Sequence, residues 1–400
     1  MAKGWRVAMT GVAIVAGGTV GPPAAAQVSG GPAGGAGAVV QGPGVMGASE
    51  GVAGRAAAQM SGRELYARAC ASCHGSDGRG AAPERVAFTV PVPDFTECSF
   101  SSREPDADWL AVVHQGGPVR AFDETMPSFG EALTEDQIQQ ILEHVRTFCD
   151  DASWPRGELN LPRSIFTEKA YPEDEAVLTV DAAVEGAGSV LNEFVYEKRF
   201  GARNQLEIVV PFGGRRAGLA AESDWEYGLG DVEVGLKRVL WHSLSAGTIV
   251  SAGGDVKLPT GSESKGFGTG TVVIEPYLAY GQILPADAFV HAQAVVEWSL
   301  EEAKAEHEAA WRLVVGRTWT SGTWGRAWSP MVELLGGTEL EGGSASWDLV
   351  PQMQVTLNTR QHVMANIGVR LPLSDADARA TRLVVYVLWD WFDGGFFDGW

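Results

Sequence analysis

The sequence predicts two unlike folded parts on one chain: a small all-α domain, then an all-β antiparallel transmembrane barrel of about 12 strands. Three observations lead there. Helical spacing of apolar residues is confined to residues 61–149. Beyond about residue 175 the chain becomes runs of β-branched and aromatic residues, mostly 10 to 13 long. Soluble strands usually run to about five or six residues, and a strand crossing a bilayer at a tilt needs ~9–11. The segments joining the runs alternate between long and tight, as loops and turns do at the two rims of an outer-membrane barrel. Composition sets further bounds. Of 400 residues 51 are glycine, and 50 acidic against 30 basic residues give a net charge of −20. A nucleic-acid binder needs the opposite sign, so no nucleic-acid partner is expected.

At the amino terminus, Lys3 and Arg6 precede an apolar run from Val7 to Val20, and Ala24-Ala25-Ala26 offers a small-residue cleavage site. This is the layout of a secretory signal peptide over residues 1–26. The run is 14 residues long and holds Gly11, Gly17 and Gly18, too short for a membrane-spanning helix. Residues 27–60 are Gly, Ala, Val and Pro with almost no charge, a flexible tether.

Cys70-Ala71-Ser72-Cys73-His74 is a C-x-x-C-H run, the attachment signature of a c-type haem. Two thiols add to the two vinyl groups of one porphyrin, and the adjacent imidazole reaches the iron as proximal ligand. A zinc site would need a second cysteine pair or paired histidines, and neither occurs. Ser61 with Glu64 forms a capping box for a helix that delivers Cys70 to its end. The glycine-rich loop Gly75–Gly80 follows His74. Thr134 caps a second helix with an apolar stripe of Ile138, Ile141, Leu142, Val145 and Phe148, and Met126-Pro127 lies between the two.

Residues 61–150 therefore resemble a class I cytochrome c domain. That resemblance implies one covalent haem c, thioether-linked at Cys70 and Cys73, with His74 and Met126 as axial ligands of the iron. His114 is the rival sixth ligand, and its setting among Trp109, Leu110 and Val113 reads as a helix. Cys98 and Cys149 remain. An even remainder in an oxidising compartment points to one disulfide between them, the alternative being two buried free thiols.

A connector with three X-Pro pairs spans residues 151–174. From 175 to 400 the twelve expected strands are 176–185, 189–199, 205–212, 230–241, 247–258, 271–283, 288–300, 308–319, 326–336, 346–357, 362–371 and 381–392. Alternation is imperfect. The last run is apolar on both faces until Asp390, and Gly253-Gly254-Asp255 interrupts the fifth. Long segments at 213–229, 259–270, 301–307 and 337–345 face tight ones at 201–204, 284–287 and 358–361. An even count puts both ends of the barrel on the periplasmic side. Tryptophans near the strand ends, among them Trp241, Trp298 and Trp389, suit interface girdles, and the chain closes on Phe396, Phe397 and Trp400. The stretches 228–237, 258–261 and 266–270 resemble outer-membrane porins of the group associated with aromatic-compound uptake.

The acidic run Glu301–Glu308 reads as a solvated outer loop or a divalent-cation site. No hydrolase or nucleotide motif occurs, the remaining histidines are scattered, and no catalytic residue is assigned. The architecture resembles fused cytochrome–porins of iron oxidisers, with a smaller barrel and an evident Met126 ligand. The expected function is an electron carrier rather than a catalyst with its own substrate. It sits in the bacterial outer membrane with its cytochrome on the periplasmic side. Its partners are outer-membrane lipid and a redox protein or small electron donor or acceptor. A channel with the cytochrome as plug or redox sensor, and a soluble periplasmic cytochrome fused to a β-sandwich, are the alternatives.

Overall fold

Residue periodicity changes from helical to alternating near residue 174, and the architecture changes there with it. The computed structural model describes residues 60–391, apart from 83–84, 87–89, 187 and 217–223. The expected signal peptide, the tether up to Gln59 and the terminal aromatics from Phe396 onward lie outside the described residues. The helices are α1 (Gly62–Ala69), α2 (Ala71–His74), α3 (Cys98–Ser101), α4 (Asp106–Gln115) and α5 (Glu135–Arg146). Capping boxes at Ser61/Glu64 and Thr134/Gln137 start α1 and α5. Those two helices pack through Leu65, Tyr66, Ile141 and Val145. Cys98 and Cys149 form a disulfide with their Cα atoms 5.3 Å apart, tying the start of α3 to the chain just after α5.

The strands are β1 (Asp174–Ala183), β2 (Ser189–Phe200), β3 (Asn204–Arg216), β4 (Trp225–Leu229), β5 (Val232–Ser243), β6 (Thr248–Leu258) and β7 (Val273–Ile283). They continue with β8 (Ala288–Ser299), β9 (Glu308–Arg317), β10 (Trp319–Thr320), β11 (Ala327–Glu339), β12 (Ser346–Thr356), β13 (Val363–Pro372) and β14 (Arg382–Asp390). All pairings are antiparallel, and β1 pairs with both β2 and β14, so the sheet closes. Twelve long strands form the wall. β4 extends the β3 hairpin outward, and β10 is a short addition on β11. Residues 213–229, expected as loop, are therefore mostly hairpin stem: β3 runs on to Arg216 and Trp225–Leu229 pairs back on it. The expected break at Gly253 is also absent. β6 is continuous, and Gly253 serves its cross-strand partner Tyr277, whose phenol ring lies 2.2 Å from where a Cβ would stand.

The outward face is apolar. Leu178, Leu236, Leu278, Val315 and Ile367 lie on five different strands and are 40–57% exposed. Tilted strands of about eleven residues give a belt roughly 25 Å tall, the height of a hydrocarbon layer. Among the described residues no helix is long and apolar enough to cross a membrane.

The lumen is filled by the connector. Both of its ends lie at the mouth where β1 begins and β14 ends, and the segment from Leu159 to Glu173 folds into the barrel and back. Leu159, Ala170 and Tyr171 pack against Val239, Ile249, Tyr277, Ala279 and Val295, and Leu161 packs against Phe289, Val314 and Met331. Polar contacts continue the ring. Arg163 Nη1 donates to Glu175 Oε1 (2.5 Å) and Glu197 Oε1 (2.6 Å), and Lys169 Nζ lies 3.8 Å from Glu175 Oε2. Thr167 Oγ1 donates to Glu333 Oε1 (2.5 Å), Lys237 Nζ to the Lys169 carbonyl (2.9 Å) and Tyr386 Oη to the Arg163 carbonyl (2.6 Å). This explains why β14 is apolar on both faces: Leu383 and Val387 point to lipid, while Tyr386 and Leu388 belong to a cluster against which Ile165 packs. It is the connector that occupies the lumen, where the sequence left a partial plug to the cytochrome domain.

The helical domain sits on the same mouth. Arg120 Nη1 donates to the Trp324 carbonyl (2.9 Å) in the β10–β11 turn. The Arg360 guanidinium lies 4.6 Å over the Phe122 ring. His362 bridges Glu104 (3.4 Å) of the domain and Asp390 (3.3 Å) of the last strand. Arg120 Nε also donates to Asp108 Oδ1 (2.6 Å). Burial, reinforced by Glu104 and opposed by Arg120, pushes the Asp108 carboxyl up to about 6. Helical domain, connector and barrel belong to one compact unit.

Three outcomes follow from these contacts. Replacing both Cys98 and Cys149 with Ser opens a loop with a separation of 51 residues. The loss is ~4 kcal/mol, read as an earlier denaturant midpoint in the helical circular-dichroism signal. Arg163→Ala leaves Glu175 and Glu197 without their buried cation. It is expected to cost about 3–5 kcal/mol, seen as a lower temperature for loss of the folded barrel's mobility on semi-native gels. The Asp108 carboxyl lies above the ~3.9 of an unfolded aspartate. Its contribution to stability is thus complete below pH 4 and lost as pH rises through about 6. Asp108→Asn should flatten that part of a melting-temperature-against-pH curve.

Candidate functional site

Helix α1 ends at Cys70, and α2 carries Cys73 and His74 directly onward. Gly75 then turns the chain with φ 74°, a conformation costly for other residues. Tyr66 Oη fixes the turn by donating to the Gly75 carbonyl (2.7 Å), and Phe95 N–H donates to the Gly78 carbonyl (2.7 Å). Phe95 is thereby stacked on the His74 imidazole at 5.0 Å. Cys70 is buried, Cys73 is half-buried, and both are free thiols. Burial, with Cys73 second, pushes the Cys70 thiol up to about 11. Burial also lowers His74 to about 4, so its imidazole is neutral at physiological pH. Among the described residues no hydrogen-bond partner reaches the buried His74 Nδ1.

Met126 lies in the segment between α4 and α5. Its carbonyl accepts from Gly117 N–H (3.0 Å) and its own N–H donates to the Asp123 carbonyl (3.3 Å). Its side chain packs against the cluster of Val113, Ile138 and Leu142. Trp109 and Leu133 border both this cluster and the one holding Cys70 and Phe95, so the His74 and Met126 sides are walls of one apolar body. His114 is turned elsewhere. Its ring lies 5.5 Å from that of Trp324 on the barrel, and its Nδ1 is 2.8 Å from Gln115 Nε2. The donor set is a neutral imidazole with an unpartnered buried nitrogen, a thioether and two thiols three residues apart. It fits an iron porphyrin bound through sulfur and nitrogen.

Elsewhere, Glu301–Glu308 forms the β8–β9 loop at the far rim, with Lys304 paired to Glu301 (3.2 Å) and His307 stacked on Trp298 (4.0 Å). His291 is buried, with Nε2 3.0 Å from the Pro162 carbonyl, and so serves the connector. Sequence reasoning missed the connector's place in the lumen and the docking residues Arg120, Trp324, Arg360 and His362. The available signal was charge: Arg163, Lys169 and Glu173 in the connector match a run of charged residues at lumen-facing strand positions.

Residues 57–145 match the family described as "Cytochrome C oxidase, cbb3-type, subunit III". Residues 171–369 match the family described as "Putative MetA-pathway of phenol degradation". No curated protein matches the chain. Among solved structures, the COG4313 outer membrane channel from Pseudomonas putida F1 is 12% identical. The match covers 57% of this chain and 100% of that one, with a TM-score of 0.43. The KdgM porin is 13% identical over 54% of this chain and 99% of its own, with a TM-score of 0.37. The segment matching the first family thus precedes a closed twelve-strand antiparallel barrel, most of which matches the second.

Proposed function

We propose that this protein is an electron carrier fixed in the bacterial outer membrane. Cys70 and Cys73 hold one haem covalently, and His74 and Met126 take its iron. The cytochrome faces the periplasm. Single electrons pass between a periplasmic or extracellular donor and an acceptor, either of them a redox protein or a small molecule. The observation that carries this reading is the filled lumen: the wall contacts of Leu159–Glu173 leave the barrel the form of an anchor rather than an open pore. The short turns and both barrel ends share the mouth that carries the helical domain, which supports the periplasmic orientation.

When bound, the haem supplies a reversible one-electron couple. The chain's own residues do the rest. His74 stays neutral across the physiological range, which leaves a ring nitrogen lone pair available. The soft sulfur of Met126 favours the reduced state and raises the potential. Phe95, Trp109, Leu133 and Ile138 exclude water and lower the local dielectric. The channel reading requires the connector to leave the lumen that its side chains fill.

The discriminating experiment uses full-length protein, made in cells competent in haem attachment and reconstituted in liposomes. Reduction of the haem by a membrane-impermeant donor, with no solute-driven swelling, is the expected result. Cys70→Ser with Cys73→Ser should abolish the Soret band. Met126→His should keep the band and lower the midpoint potential, on the order of 100 mV. Swelling at porin rates that persists in the double-serine variant would overturn the proposal in favour of a channel.

A further inference from the structure

The lumen wall carries a row of acids opposed strand by strand. Glu175 pairs with Glu197, Glu197 with Glu207, Glu207 with Gly235, Gly235 with Asp255, and Asp255 with Glu275. Like charges directly opposite one another destabilise a ladder unless cations intervene. Arg163 serves Glu175 and Glu197 Oε1, and Lys257 serves Glu275 (2.6 Å). Lys237 Nζ lies 2.5 Å from Glu168 Oε1, on the connector.

The middle of the row is left over. One carboxylate oxygen from each of Glu168, Glu197 and Glu207 lies within 4.8 Å of the others. Glu197 has no exposed surface, and among the described residues no hydrogen-bond donor reaches its Oε2. Glu207 Oε2 and Asp255 Oδ1 are likewise buried without a partner among the described residues. The backbone is shaped to gather these groups. At Gly235 a Cβ would stand 1.9 Å from Asp255 Oδ1 and 3.5 Å from the Glu207 Cβ, so any side chain there would drive the carboxylates apart.

We propose that Glu168, Glu197 and Glu207 bind a hard divalent cation of the calcium class, with Asp255 completing its surroundings. Oxygen ligands of calcium stand at ~2.3–2.6 Å, so oxygens sharing one ion are at most ~4.6–5.2 Å apart, and the three carboxylate oxygens fall within that reach. Glu168 belongs to the connector and Glu197 and Glu207 to β2 and β3, so the ion would clamp the lumen segment to the wall.

The test uses the full chain in detergent, stripped with a chelator and titrated with Mn2+ at neutral pH. Bound and free metal are separated by their electron paramagnetic resonance signals. One tightly bound Mn2+ per chain is expected, displaced by excess Ca2+. Glu207→Gln should weaken it at least tenfold, and Glu302→Gln in the far-rim loop should not. Should Glu207→Gln fail to fold, Glu168→Gln, which leaves the strand ladder intact, takes its place. Equal binding by wild type and the lumen variant would assign the metal to another surface and overturn the proposal. An absence of tight Mn2+ in folded wild type would overturn it too, and would mean that protons and Lys237 balance the cluster.

Discussion

Arg163 reaches from the connector to the carboxylates of Glu175 and Glu197, which stand opposite each other on neighbouring strands. Neither acid could be buried alone at tolerable cost, because a desolvated carboxylate loses far more in hydration than a packed neighbour returns. The same holds for Glu168 on the connector beside Lys237 on the wall. Wall and connector are therefore each other's counter-ions. A barrel with this inner surface and no connector would face a run of uncompensated charge, and a connector with this composition would have no place in water-free packing. The apolar contacts of Leu159, Leu161 and Tyr171 add area to an arrangement whose position is set by charge.

The small bore makes this economical. A lumen of twelve strands lies between the side-chain-filled eight-strand barrel and the aqueous sixteen-strand porin. Here the difference is made up by one folded segment rather than by a domain. The helical domain stays at the rim, held by contacts of a different kind: a guanidinium on a tryptophan carbonyl, another over an aromatic face, and a histidine between two carboxylates.

Much of this was legible in the sequence. All twelve wall strands lie within a few residues of their expected places, because β-branched runs bounded by turn residues are a local signal. The capped helices and the Cys98–Cys149 pair were readable for similar local reasons, since caps and an even cysteine count need no tertiary information. What failed to show was anything that depends on a partner distant in the chain. Gly253 looked like an interruption because its purpose, room for the Tyr277 ring, lies on the next strand. The apolar inner face of β14 looked like a fault in alternation because its neighbour is Ile165, some two hundred residues earlier. The connector looked like a spacer because prolines and mixed charge are what spacers contain.

Both ends of the lumen segment emerge at one rim, which makes it a stopper and not a thread. A threaded strand could be removed only by parting the β1–β14 seam, whereas a stopper can be drawn back through the opening it entered. Its outer end is fastened to the helical domain, where Gly157 N–H donates to the Ser102 carbonyl and Arg156 grips Asp106. A pull on that domain would thus be delivered along the backbone to Leu159 and the residues beyond it, with the helical body serving as the handle.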